Sequence, residues 1–399
     1  MKASEAKDTQ AKPVLNTSPD SRLGIIPLKS TEAIGAKINE YLVLWRRQRV
    51  ESGIVSGDND YARDSFLIEA QTPRFGSGEG KGSIKESVRG DDLYVLVDVC
   101  NHSLTYRLAS YENYMSPDDH FQDLKRVIAA ACGKAHRINV IMPYLYEGRR
   151  LLREGRESID CASALQELAA LGVENIITFD AHDPRAQNAI PLYGFESMSP
   201  SYQFLKNILR LDTNLLLDDD HLMVVSPDEG GMHRAIYLAN VLGVNMGMLY
   251  KRRDYSTIVN GKNPVVALEF LGSEVDGKDI IIIDDMISSG DKVLETSAAL
   301  KKRGANKIFI CATFGIFTGG LARFDDAYRH KEFDHLITTN LVYQSEELLS
   351  KPYYKSCDMS KYLALIIDTL NHDASLSSLL NPVDRIQKVL KKYRTGIPV

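Results

Sequence analysis

The chain has 399 residues, 44% apolar and 25% charged, which excludes low-complexity and fibrous classes and makes two globular domains the default. A formal net charge of -5 supplies no cationic footprint, so nucleic acid and anionic membrane surfaces are not expected partners. The five cysteines (Cys100, Cys132, Cys161, Cys311, Cys357) have no paired spacing, which argues against a disulfide framework or a zinc site and for a reducing, cytoplasmic setting.

Residues 1–22 are polar and contain Glu5 and Asp8, so they lack the apolar core of a signal peptide and are expected to be a disordered lead-in. A strand is expected at 24–28 and an amphipathic helix at 31–45, followed by a polar, loop-like stretch at 46–65. A strand at 65–70, a glycine-rich loop at 75–82 and a buried strand at 92–99 come next. A helix at 118–132, a strand at 137–143, a helix at 159–171 and a strand at 174–179 then deliver Asp180-Ala181-His182. This alternation predicts an α/β fold with a mostly parallel sheet covered on both faces.

A second alternating set begins near residue 205. A strand at 221–225 ends in Ser226-Pro227-Asp228-Glu229-Gly230-Gly231, and a helix is expected at 232–242. A strand at 246–250 runs into Lys251-Arg252-Arg253, and a turn at Asn260-Gly261 returns the chain through 264–270. Four isoleucines at 280–283 then form a strand buried on both faces, ending in Asp284-Asp285 and a Ser288-Ser289-Gly290 turn that leads into a helix at 293–303. A strand at 308–314 and an apolar-faced helix at 362–370 complete the set. The expected division is a lead-in, domains at 23–205 and 206–360, and a helical segment at 361–399.

In an open parallel sheet, ligands bind at the carboxyl ends of strands, and free amides at a helix start attract phosphate. Paired aspartates beside such a loop suit a ligand with vicinal hydroxyls at one end and phosphate at the other, as in a phosphorylated ribose. Asp-Asp after a strand is also an ordinary helix cap, and the order of strand, acids, glycine turn and helix is what favours the ligand. His182 at another strand end is either a metal ligand or an ordinary loop histidine. Asp228 before Gly-Gly allows close backbone approach to a ligand, although such turns are common. Lys251-Arg252-Arg253 is a solvated face, or, at a strand end, a device for neutralising polyphosphate. Arg149, Arg150, Arg153 and Arg156 crowd one loop, which suits a phosphate-rich ligand. The set describes magnesium-nucleotide and sugar-phosphate chemistry without a Walker-type loop.

These residues resemble the ribose-phosphate pyrophosphokinase (phosphoribosyl pyrophosphate synthetase) family, from about residue 24 to 380. The resemblance rests on Glu86-Ser87-Val88-Arg89-Gly90, Asp180-Ala181-His182, Ser226-Pro227-Asp228-Glu229-Gly230-Gly231, Lys251-Arg252-Arg253 and Asp284-Asp285-Met286-Ile287. It implies two type I phosphoribosyltransferase-like domains, a dimer or hexamer of identical chains, and Mg2+ as cofactor. The implied activity moves the β,γ-diphosphoryl group of ATP to the 1-hydroxyl of ribose 5-phosphate. By motif, Asp284 and Asp285 would hold the ribose hydroxyls, and Ser288, Ser289, Gly290, Asp291 and Lys292 the 5-phosphate. His182 would ligate magnesium on the ATP side, and Asp228 would place the ribose and a second magnesium. Lys251 and Arg253 would be catalytic residues on a mobile flap, Arg149 an ATP contact, and Phe75 and Glu79 the adenine loop, reaching in from a neighbouring subunit.

The chain departs from the family pattern at several points. The usual Asp-Thr-Gly-Gly-Thr phosphate loop reads Ser288-Ser289-Gly290-Asp291-Lys292, where Asp291 must point outward and Lys292 compensates. Arg149-Arg150-Leu151 replaces Arg-Gln-Asp, Ser77 stands in the adenine loop, and the flap between Arg253 and Pro264 is longer than usual. The competing readings are a catalytically silent associated subunit and a phosphoribosyltransferase that consumes the product. The second would need neither Lys251-Arg252-Arg253 nor a second α/β unit.

Overall fold

Two mostly parallel sheets carry the chain. The computed structural model describes residues 19, 21–55, 61–149, 153, 155–253 and 265–397, with the side chains of 251–253 and 265–268 outside the description. The first sheet has five parallel strands in chain order: Leu23–Pro27, Asp92–Leu96, Arg137–Ile141, Asn175–Phe179 and Gly194–Met198. The second has seven, in the spatial order Val265–Leu271, Asn245–Arg253, Leu222–Ser226, Asp279–Ile287, Ile308–Gly315, His335–Thr339 and Tyr354–Cys357. Only the edge strand Val265–Leu271 runs antiparallel. From Leu222–Ser226 the chain first builds outward and then returns to lay Asp279–Ile287 on the other side of the same strand. The gap between those two strands is therefore a topological switch point, where loops diverge and leave a crevice.

The isoleucine strand shows why the register is fixed. Side chains alternate across a strand, and all four isoleucines are buried. Ile281 and Ile283 join a large interior shared with Leu23, Ile141 and Phe179 of the first sheet, whereas Ile280 and Ile282 face the second sheet's outer core with Val293 and Leu300. Burying each isoleucine is worth about 1.5–3 kcal/mol as an upper estimate. A slip of one residue would exchange the two faces and every side chain beyond them. The shared interior also takes up helices Glu32–Glu51, Ser201–Leu211, Met232–Leu242 and Ser360–Asn371.

Several expectations change. The first helix runs to Glu51, through part of the stretch expected to be loop. Its Arg46 and Arg49 turn inward, because both reach Asp368 on the late helix Ser360–Asn371. Arg46 Nη2 also donates to Asn371 Oδ1 (2.6 Å), and its guanidinium lies over the rings of Tyr61 and Phe66. Burial alone would raise the Asp368 carboxyl, but the hydrogen bond from Arg49 and the charge of Arg46 hold it below the usual carboxylate range. The expected strand at 65–70 is reduced to a bridge of Leu67 with Ile25 and a two-residue strand, Ala70–Gln71, paired with Ser83–Ile84. Residues 105–114 form a hairpin, Thr105–Leu108 with Tyr111–Tyr114. The strand Gly194–Met198, the last two strands of the second sheet and the helices Ala322–Arg329 and Glu346–Ser350 add to the expected set, and Val383–Arg394 falls within the expected helical segment. Most of the expected lead-in at 1–22 lies outside the described residues. No described helix is long and apolar enough to cross a membrane.

Replacing Asp368 with alanine leaves two guanidinium groups buried without their counter-charge. A loss of about 3–5 kcal/mol is expected, read as a lowered midpoint in chemical denaturation. An unchanged midpoint would mean that the two halves are not held through this residue.

Candidate active site

Strand alternation decides where the adjacent aspartates point. Asp284 continues the outer face of Ile280 and Ile282, and Asp285 the inner face of Ile281 and Ile283. Both are buried, at 1% and 2% exposure. The sequence reading placed both on one ribose; within the chain itself their partners differ.

Asp285 faces the first domain. Its Oδ2 lies 2.5 Å from His182 Nδ1, which fixes that imidazole at the tip of Asn175–Phe179. Asp180 makes the reach possible by adopting a left-handed conformation (φ 43°), uncommon outside glycine, which turns the chain sharply off the strand. Three contacts hold Asp180 there: Arg234 Nε donates to Oδ1 (2.6 Å), Thr313 Oγ1 donates to Oδ2 (2.7 Å), and its own amide donates to the Met198 carbonyl (2.8 Å). Arg234 Nη2 also lies 3.6 Å from Asp285 Oδ2. Burial works against a charged Asp285, but His182 and Arg234 overcome it and hold the carboxyl well below the usual range. The hydrogen bond to Asp285 raises His182 above its ordinary value. With Nδ1 donating to a carboxylate, the neutral imidazole turns Nε2 outward as an acceptor, as in metal-bound histidines with a carboxylate behind them.

Asp284 faces its own domain. Lys292 Nζ lies 2.7 Å from Asp284 Oδ2 and 2.9 Å from Asp228 Oδ2. Asp228 is held at the switch point, where its Oδ1 accepts the Gly231 amide (3.1 Å). A side chain at Gly231 would place Cβ 2.8 Å from Ser226 Oγ, so only glycine lets the chain turn this closely. Burial pushes the Asp284 carboxyl up to about 7, against the pull of the Lys292 ammonium.

The loop from Ser288 to Lys292 opens the helix Asp291–Lys302. Gly290 sits at φ 86° with its α-carbon against the Phe324 ring, where a Cβ would come within 2.4 Å. Asp291 accepts from Ser289 Oγ (2.9 Å) and pairs with Arg323. Ser288 Oγ meets Thr318 Oγ1 (3.2 Å).

Arg149 and His182 line one cleft between the halves, together with Tyr144, Met286 and Phe314. Phe75 and Glu79 form a tight loop, Phe75 N donating to the Glu79 carbonyl (2.7 Å), and none of the described hydrogen bonds or ion pairs joins them to this cleft. The backbone of Lys251 and Arg253 ends the strand Asn245–Arg253; their side chains, the flap at 254–264 and Arg150 lie outside the described residues. The sequence reading missed Arg234, Thr313 and Arg323. Arg234 had a signal, a lone charge on the apolar stripe with Ala235 and Leu238; the others had none.

Two α/β units, the second with a switch point between its strands, make up the fold, and comparison with known proteins puts it in the type I phosphoribosyltransferase-like class. Residues 23–172 match the N-terminal domain of ribose phosphate pyrophosphokinase, and residues 252–381 match the phosphoribosyl synthetase-associated domain. The ribose-phosphate pyrophosphokinase of Burkholderia pseudomallei is 30% identical over 315 residues, spanning 78% of this chain and 90% of that protein. That of Vibrio parahaemolyticus is 29% identical over 325 residues, spanning 79% and 92%. The crystal structure of phosphoribosylpyrophosphate synthetase from Mycobacterium smegmatis shares the fold, with a TM-score of 0.68 at 21% identity over 88% of this chain and 100% of that one. The chain belongs to the ribose-phosphate pyrophosphokinase family.

The His182–Asp285 contact has a direct readout. By NMR, the His182 imidazole should titrate above the ordinary histidine value, and Asp285→Asn should move it down, because the charge and the strong acceptor are both removed. An identical titration in the two proteins would contradict the contact.

Proposed function

We propose that this protein is a ribose-phosphate diphosphokinase, transferring the β,γ-diphosphoryl group of ATP to the 1-hydroxyl of ribose 5-phosphate to give phosphoribosyl pyrophosphate and AMP. The observation that supports the reading is the 2.5 Å contact between His182 and Asp285, which brings the Asp180-Ala181-His182 tip of one domain against the Asp284-Asp285 tip of the other. Family membership supports the same activity.

The reaction needs alignment and charge neutralisation and no covalent nucleophile. The sugar 1-hydroxyl attacks the β-phosphorus, the bond from that phosphorus to the α,β-bridging oxygen breaks, AMP departs and the hydroxyl proton is released. Arg149 faces the nucleotide phosphates from the cleft wall. Lys251 and Arg253, at the end of their strand, bring positive charge to the transferring group. The amides at the start of Asp291–Lys302 take the 5-phosphate, and Asp291, turned to Arg323, leaves that end of the cleft free of its charge.

Magnesium fits on the nucleotide side. Among the described residues no three His, Cys, Asp or Glu side chains converge to hold a metal alone; a magnesium ion held by His182 Nε2 would take further oxygens from the nucleotide phosphates. When bound there, magnesium neutralises phosphate charge. It does not fit at Asp228, whose outer oxygen is taken by the Lys292 ammonium. Binding of Mg-ATP through Nε2 requires the neutral imidazole, so affinity should rise as pH climbs through the raised His182 value, and Asp285→Asn should shift that rise to lower pH.

A coupled assay should show AMP release from ATP that depends on ribose 5-phosphate and stops with EDTA; its absence would favour a silent associated subunit. Lys251→Ala should lower kcat by about 10²–10³-fold, the loss typical for one group that stabilises transition-state charge. Its Mg-ATP affinity by calorimetry should change little, and equal losses in both would remove Lys251 from the transfer step.

A further inference from the structure

The switch point brings two carboxylates from neighbouring strands together, Asp228 from the loop after Leu222–Ser226 and Asp284 from the tip of Asp279–Ile287. Two such groups repel unless a cation or a shared proton lies between them. Here the cation is part of the chain, with Lys292 Nζ 2.7 Å from one and 2.9 Å from the other. Lys292 is the second residue of the helix Asp291–Lys302, so its stem starts from a fixed helical turn. An ammonium has three protons and no acceptor. Both carboxylates lie within ion-pair distance of it, and the side chain remains 33% exposed, so the ammonium can also reach an oxygen in the cleft.

A magnesium ion at the same place would need those carboxylate oxygens at about 2.0–2.1 Å within an octahedral shell of oxygens. The ammonium occupies that space and already supplies positive charge to the same oxygens, so lysine and dication exclude each other.

We propose that Lys292 is a tethered replacement for a divalent ion on the sugar side of the cleft. Asp228 and Asp284 bind no metal, and Lys292 donates a hydrogen bond to an oxygen of ribose 5-phosphate. The proposal rests on the sugar-phosphate reading above and deepens it: this protein takes its sugar substrate without a metal and uses metal only for the nucleotide.

The test uses the full chain, ribose 5-phosphate without nucleotide, and Mn2+ as a paramagnetic probe. In the wild-type protein, calorimetry in EDTA should show ribose 5-phosphate binding within about twofold of its value with Mn2+, and the sugar phosphate should recruit no Mn2+ by electron paramagnetic resonance. Lys292→Thr, with folding checked by thermal unfolding, should gain a Mn2+ site at least tenfold tighter than any in the wild type. Adding Asp228→Asn to that variant should remove the site. Wild-type sugar binding that EDTA abolishes, or a sugar-dependent Mn2+ signal lost on Asp228→Asn alone, would overturn the proposal. So would a folded Lys292→Thr protein that gains no Mn2+. Should that variant not fold, the wild-type measurements decide by themselves. Ribose 5-phosphate that binds with neither EDTA nor Mn2+ would overturn the sugar-phosphate reading and this proposal with it.

Discussion

The two-residue period of a strand buried on both faces decides where the acidic side chains of this protein go. Ile280 and Ile282 bind the second domain's outer core, and Ile281 and Ile283 the interior that both domains share. Hydrophobic burial thus pins the register, and the register carries over to the polar residues that follow. Asp284 must face its own domain, and Asp285 must face the other. Under the proposed function, a motif that looks like one clamp is two half-sites back to back.

Each half-site is electrically completed by a different cation. On the inner face, Asp180, Asp285, Arg234, His182 and Thr313 form a connected set in which burial would be costly for any member alone. On the outer face, Lys292 does the same for Asp228 and Asp284. The division gives the two carboxylates separate electrostatic settings: Asp285 orients a histidine, and Asp284 shares a lysine with Asp228.

The half-sites stay aligned because the domains are tied elsewhere. Helix Glu32–Glu51 lies against helix Ser360–Asn371 through Arg46, Arg49 and Asp368, far apart in sequence and fully enclosed. Asn371 continues the network to Asp92 (2.9 Å), where Arg137 also binds (2.8 Å), and Asp98 accepts the Tyr343 amide (2.7 Å). These contacts hold the strand tips at the spacing that the His182–Asp285 contact requires.

The sequence by itself determined the alternation of strand and helix, the buried isoleucine strand, the glycine turn before Asp291–Lys302, and the family to which Asp180-Ala181-His182 and Asp284-Asp285-Met286-Ile287 point. Each is a local signal, set by side-chain periodicity or by a backbone conformation that few residues tolerate. Arg46 and Arg49 were read as loop because a charged face looks solvated until its counter-charge, 319 residues from Arg49, is brought to it. The same holds for Arg234, and for Lys292, whose partners come from two strands that only the switch-point topology makes neighbours. Tertiary structure decided which charges meet, because ion pairing depends on distance in space, and spacing along the chain carries no record of it.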